Sequence, residues 1–267
     1  MNDLLEDCDV VDIVTPSNTH YDLARTSIIA GKHVFIEKPV TSTLKDARAL
    51  RELAREAGVL VQVGHVERFN PAFTAALPFI NDPQFFEIHR LAQYNNRGTD
   101  VSVVLDLMLH DLDLLMSIMR CNIKRISANG TRIISPSIDM ANVRIEFENG
   151  CVANITTNRV ALKNVRKFRV FDRKHFIGID LLGKVTEVIR LKDAGKDSGN
   201  IILDPGNGKP RKEIQTEHPV ITPSNAIKDE LSSFYESIHS GSPVRVSIDD
   251  SIRVMELAFD IEEKLSN

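Results

Sequence analysis

The sequence has 267 residues, 42% of them apolar and 26% charged, and its 33 Lys and Arg against 37 Asp and Glu leave a formal charge of −4. At about 150 residues per domain this is chain enough for two modest folded domains, and the composition excludes a disordered polymer. The near balance of charge excludes a global attraction to nucleic acid or to an anionic membrane. Cys8, Cys121 and Cys151 form no close pair, which argues against a disulfide framework and a Cys-based zinc site and for a reducing, cytoplasmic setting. The acidic opening (Asp3, Glu6, Asp7) lacks the basic flank of a signal peptide. The most apolar stretch, 101–119, is broken by Asp106, His110, Asp111 and Asp113, so no membrane span is expected.

Residues 10–15, 34–36 and 59–63 are short, β-branched and almost continuously apolar, the pattern of parallel strands covered on both faces. Helical stretches separate them. Leu23, Ile28 and Ile29 precede a stop at Gly31, and Thr43 caps a helix over 44–57 that Gly58 closes. Residues 1–72 therefore read as half of a doubly wound α/β sheet, and 73–267 as a second domain. After Asn70-Pro71 the strands lengthen and turn polar on one face. Glu148-Asn149-Gly150, between 143–147 and 152–156, predicts a hairpin with a tight primed turn. An open, mainly antiparallel sheet follows, with a long solvent-facing loop or hairpin tip over 192–212 and two closing helices at 225–240 and 249–265.

Three polar features follow the carboxyl ends of the parallel strands, where open α/β sheets bind ligands. They are Thr15-Pro16-Ser17-Asn18-Thr19-His20, Glu37-Lys38-Pro39, and Gly64-His65-Val66-Glu67-Arg68-Phe69-Asn70-Pro71, in which Arg68 can bind phosphate or carboxylate bidentately. Each alone also fits an ordinary polar loop, and Lys38 a surface lysine; their concurrence on one edge points to a small-molecule site. A fourth feature is Asp106, His110 and Asp113, whose spacings of four and three put them on one helical face. A carboxylate beside His suits a general acid or base. The same set also fits an internal hydrogen-bond network or a hydrolytic metal centre, although no further His or Cys at ligand spacing supports a metal. The basic alternation Arg166-Lys167-Phe168-Arg169 fits the solvent face of an antiparallel sheet better than a nucleic-acid surface.

In this order, residues 11–20, Glu37-Lys38-Pro39, the Arg68-Phe69-Asn70-Pro71 turn and Asp106-x-x-x-His110-x-x-Asp113 resemble the Gfo/Idh/MocA oxidoreductases. The resemblance covers essentially the whole chain. It implies a partial Rossmann-like domain followed by an α/β domain with an open, mainly antiparallel sheet, and hydride transfer between NAD or NADP and a ring hydroxyl of a sugar or sugar nucleotide. Lys38, His110 and Asp106 then correspond to the catalytic residues, with no metal. Thr15, Pro16, Asn18, His20, Glu37, Lys38 and Arg68 fall to the cofactor, and Lys38, Arg68, Asn70, Asp106 and His110 to the substrate. Within the family, residues 64–71 look most like those of UDP-sugar dehydrogenases, which implies oxidation at C3 of UDP-N-acetylglucosamine. Homo-oligomers through the open sheet are implied as well, with neither nucleic acid nor membrane as a partner.

Two departures stand out. Met108 occupies a position where the family usually has Gly. The family also opens with a strand, a G-x-G-x-x-G phosphate loop, a helix and a further strand that residues 1–267 do not contain. The expectation is a chain shortened at its beginning, in which cofactor binding is weak or absent without the glycine loop. The competing expectation is a non-catalytic ligand sensor or assembly protein of the same fold.

Overall fold

A computed structural model describes residues 2–95, 101–194 and 201–266. In chain order it opens with α1 (Asn2–Glu6), β1 (Val10–Ile13), α2 (His20–Ile29), β2 (His33–Glu37), α3 (Leu44–Ala57) and β3 (Val61–Gly64). A 3₁₀ turn (Val66–Phe69), α4 (Pro71–Ala76), β4 (Phe85–Gln93) and a π-helical turn (Val104–Met108) lead into α5 (Leu109–Ile118). Strands β5 (Ile123–Thr131), β6 (Met140–Phe147), β7 (Val152–Ala161), β8 (Val165–Phe171), β9 (His175–Asp180) and β10 (Val185–Asp193) follow. Two short strands, β11 (Ile202–Leu203) and β12 (Lys212–Glu217), precede α6 (Ala226–Ser240) and α7 (Ile248–Ser266).

The chain divides into two units, one of Met1–Phe69, Leu109–Arg120 and Asn225–Asn267, the other of Asn70–Met108 and Cys121–Ser224. The sequence placed one boundary at 72/73. In the structure α5, α6 and α7 join the first unit, because Val246, Ile248, Ile252 and Met255 complete the core of the parallel sheet.

In the first unit β1, β2 and β3 pair in parallel in that order. One face carries Val11, Ile13, Val34, Ile36, Val61 and Val63 onto Ala24 and Ile28 of α2 and Leu50 and Ala54 of α3. Local signals set the bounds of α3: the Thr43 hydroxyl accepts the Asp46 N–H at 3.1 Å, and Gly58 ends the helix at a φ of 67°. The opposite face takes α6. There Phe35 meets Phe234 at 6.1 Å between ring centroids, and Gln62 Nε2 donates to the Glu230 carbonyl at 3.0 Å. Among the described residues the outer edge of β1 carries no strand, and Val10 and Val14 are exposed there.

The second unit is built on a sheet of nine described strands in the order β11-β12-β10-β9-β8-β4-β7-β6-β5, antiparallel except where β4 runs parallel to β7. Alternation buries Phe86, Ile88, Val143, Ile145, Ile155, Phe168 and Ile177 on one face. Phe73 of α4 packs edge-on against Phe168 at 6.0 Å. Lys167 and Arg169 lie on the other face, paired with Asp180 and Glu87. The 148–150 hairpin forms, but only Gly150 has positive φ, at 87°. The type I′ turn that Asn-Gly favours needs two such residues; here Asn149 instead uses its side-chain oxygen to accept the Cys151 N–H at 3.0 Å. The predicted loop or hairpin tip over 192–212 joins the antiparallel strands β10 and β12, carries β11 and, in part, lies outside the described residues.

A loop between β5 and β6 is held by one carboxylate. Buried Asp139 accepts the N–H groups of Ile133, Ile134 and Ser135 at 2.7, 2.7 and 3.0 Å and also the Ser135 hydroxyl. Burial pushes this carboxyl up, but those donors outweigh it and hold it well below the usual carboxylate range. Its folded-state pKa thus lies under its unfolded one, so the stabilisation is complete above about pH 4 and fades as the pH falls further. Asp139→Asn is expected to cost about 2–4 kcal/mol at neutral pH, because a neutral amide oxygen accepts the three N–H groups more weakly than the charged carboxylate does and its NH2 group replaces the acceptor of the Ser135 hydroxyl. In thermal melts its gap to wild type should narrow below about pH 4; a gap independent of pH would refute the assignment.

Candidate active site

The carboxyl ends of β1, β2 and β3 present three loops in the first unit. Thr15, Pro16 and Asn18 are exposed on the first, and Glu37, Lys38 and Pro39 are half-buried on the second, where the Lys38–Pro39 peptide bond is cis. Gly64 makes room for this arrangement: a Cβ there would stand 3.0 Å from the Glu37 carboxyl and 3.2 Å from its Cα. Glu37 in turn accepts the Lys38 N–H at 3.2 Å. Burial pushes its carboxyl up, and the bond from Lys38 and that residue's charge oppose the shift.

Other predicted ligand contacts turn inward. Arg68, 8% exposed, sits in the 3₁₀ turn and donates from Nε to Asp113 Oδ2 at 2.8 Å and from Nη2 to Oδ1 at 2.7 Å. The carboxylate that the sequence assigned to a ligand is supplied from within the chain, on α5. Burial would lower the Arg68 pKa, but Asp113, with Asp250 3.5 Å from Nη1, raises it beyond the ordinary value. Arg245 donates to the Arg68 carbonyl at 3.2 Å and lies 4.5 Å over the Phe69 ring. His65 joins the same cluster, with Nε2 3.3 Å from Ser251 Oγ and Nδ1 3.7 Å from Asp113 Oδ1. Burial holds its pKa low, against the pull of Asp113. Asp113 therefore belongs to a hydrogen-bond network tying the β3 loop to α5 and α7.

Asn70, counted with the second unit, caps α4 by accepting the Ala72 N–H at 3.1 Å and donates to the Leu181 carbonyl at 2.9 Å, so both ends of its amide serve the fold. His20 is buried, and both its ring nitrogens meet backbone carbonyls.

The helical stretch carrying Asp106 and His110 is not α-helical throughout. Val104–Met108 is π-helical, with the five-residue hydrogen-bond repeat that widens a turn. Asp106 and His110 are both half-buried, whereas Asp113 is wholly buried. Among the described residues no group of three or more His, Cys, Asp or Glu could hold a metal ion, and no helix is long and apolar enough to cross a membrane.

Sequence reasoning missed Glu230. This α6 residue is 1% exposed, its Oε1 has no hydrogen-bond partner, and neighbouring Gln62 Oε1 is unpaired as well. Its offset of four from Phe234, on the buried face of α6, was the available signal. Burial first, then the charges of Glu37, Asp113 and Asp12, push its carboxyl up to about 8. A folded pKa above the unfolded one means that stability falls as the pH rises from about 4.5 through about 8. Glu230→Gln is expected to raise stability by about 1–3 kcal/mol at neutral pH and to leave it unchanged near pH 4. Denaturant melts at both pH values check this; a loss at neutral pH would contradict the buried neutral acid.

Residues 1–65 match the Gfo/Idh/MocA oxidoreductase family with its NAD-binding Rossmann fold, and residues 63–175 match the Gfo/Idh/MocA C-terminal domain. UDP-N-acetylglucosamine 3-dehydrogenase of Acidithiobacillus ferrooxidans is 30% identical over 242 residues, which cover 90% of this chain and 74% of that protein. The chain belongs to the Gfo/Idh/MocA family. A solved structure of that A. ferrooxidans enzyme has a TM-score of 0.89 at 29% identity, covering 99% of this chain and 81% of the other. Myo-inositol 2-dehydrogenase of Thermotoga maritima is 26% identical over 288 residues, 99% of this chain and 81% of that protein. Membership of the Gfo/Idh/MocA family accounts for the parallel strands and the larger, mostly antiparallel sheet together. Exposed Thr15 and Asn18 and half-buried Lys38 offer hydroxyl, amide and ammonium groups at parallel-strand ends, a donor set whose chemistry fits the ribose and carboxamide of a nicotinamide nucleoside.

Proposed function

We propose that this protein is an NAD(P)-dependent dehydrogenase of a sugar nucleotide, with C3 of UDP-N-acetylglucosamine as the reacting carbon. The single observation that carries the reading is half-buried Lys38 at the end of β2 beside exposed Thr15 and Asn18, in a chain 30% identical to an enzyme of that name. Nicotinamide, when bound, supplies the hydride acceptor. His110 takes the proton of the ring hydroxyl as the carbon beneath it loses hydride, and returns it in the reverse direction. Lys38 donates a hydrogen bond to the same oxygen and stabilises the negative charge that develops there. Arg68, its donors engaged with Asp113, keeps the β3 loop in place, and Asn70 caps α4.

Self-association is part of the proposal. On the open sheet face the Phe171 ring lies 5.7 Å from that of Phe85 and 4.9 Å from that of Phe176, and the Lys167–Asp180 and Arg169–Glu87 pairs sit beside them, a mixture suited to a second copy.

Titrating the 267-residue chain with NADH, followed by nicotinamide fluorescence, and then adding UDP-N-acetylglucosamine with NAD or NADP, tests the reading. Binding with formation of reduced cofactor supports it. Binding without turnover removes the substrate assignment, and no binding of either cofactor removes the dehydrogenase reading for this chain.

A further inference from the structure

His20 opens α2, but its ring serves two loops. It is 1% exposed; Nε2 lies 2.8 Å from the carbonyl oxygen of Thr15, just past β1, and Nδ1 lies 2.9 Å from that of Pro39, just past Lys38. Both partners are carbonyl oxygens, so the one ring stands within hydrogen-bond distance of both loops at once.

The second tie between these loops is weaker. Ser42 Oγ donates to the Ser17 carbonyl at 3.3 Å from an exposed position. Within the first loop Thr15 and Thr19 hydroxyls meet at 2.7 Å, and Thr19 donates to the Pro16 carbonyl at 2.8 Å, so the segment His20 grips is itself braced. Lys38 thus has its backbone held on both sides, by Glu37 through its N–H and by His20 through the next carbonyl. Glu37 interacts electrostatically with the Lys38 ammonium, Asp12 and His20, in that order.

We propose that His20 is a positioning residue for Lys38: by gripping the Thr15 and Pro39 carbonyls together it fixes the loop bearing the lysine against the loop bearing Thr15 and Asn18. The cofactor contact that the sequence reading gave to His20 is thereby replaced by a clamp beneath the site. The inference rests on the dehydrogenase reading for the purpose of the clamp, not for its existence. A glutamine keeps bulk and one donor nitrogen but spans only one of the two carbonyls, which makes it the informative replacement.

Two measurements test it. Hydrogen exchange on wild type, H20Q and H20A should show amides of residues 38–43 exchanging about tenfold faster or more in the variants, with residues 141–158 of β6 and β7 unchanged. H20Q supplies the comparison if H20A does not fold. Equal exchange at 38–43 overturns the clamp, whether or not the chain turns over. In kinetics, H20Q should lower kcat about tenfold with KM for the cofactor within about threefold, and the loss should disappear in a K38M background, because the histidine acts through the lysine. Losses that multiply in the double variant overturn the positioning role. Wild type without turnover overturns the dehydrogenase reading and with it the role in catalysis, and exchange then decides the clamp alone.

Discussion

His110→Ala should reduce kcat for hydride transfer about 10³-fold while leaving NADH affinity within about threefold. Removing the imidazole takes away the proton acceptor, and no step of cofactor binding asks for it. The side chain is half-buried, so truncation leaves the fold of α5 intact, and an unchanged melting temperature would show that the loss is chemical. Lys38→Met should cost about 10²-fold through lost stabilisation of the reacting oxygen. A His110→Ala protein that keeps wild-type turnover would refute the assigned base. One that keeps only the affinity for sugar nucleotide, in a chain whose wild type never turns over, would favour a ligand sensor.

The largest effect on stability is expected at Asp113. Asp113→Ala leaves the Arg68 guanidinium, 8% exposed, without its bidentate partner and close to Arg245, a cost of about 3–5 kcal/mol. The Asp250 carboxylate, 3.5 Å from Nη1, recovers only part of it. Arg68→Met in the Asp113→Ala background should restore much of the loss, because a stranded charge costs more than an apolar pair. Urea denaturation of the four proteins completes the cycle. Losses that simply add would mean that the pair does not act as the strut its geometry describes.

These two predictions separate residues that the sequence could not tell apart. Asp106, His110 and Asp113 look alike as polar groups in an apolar helix, and Arg68 looks as available to a ligand as Lys38. Yet Asp113 meets a guanidinium 45 residues away, and Arg68 reaches Asp250 across 182 residues.

From sequence alone came the three parallel strands, the bounds of α3, the hairpin at 148–150, the family, and Lys38 and His110 as candidates. Each rests on local information: an apolar run, a Thr43 cap, a Gly58 stop, an Asn-Gly turn, a motif in fixed order. Only the tertiary structure decided which polar side chains remain at the strand ends and which are consumed by the fold. It turned Arg68, Asn70, Asp113 and His20 inward, placed Glu230 in a buried acidic neighbourhood, and joined α6 and α7 to the parallel sheet. The physical reason is that a buried polar group must find a partner, and in a chain folded back on itself those partners come from segments far away in sequence, where no spacing rule reaches.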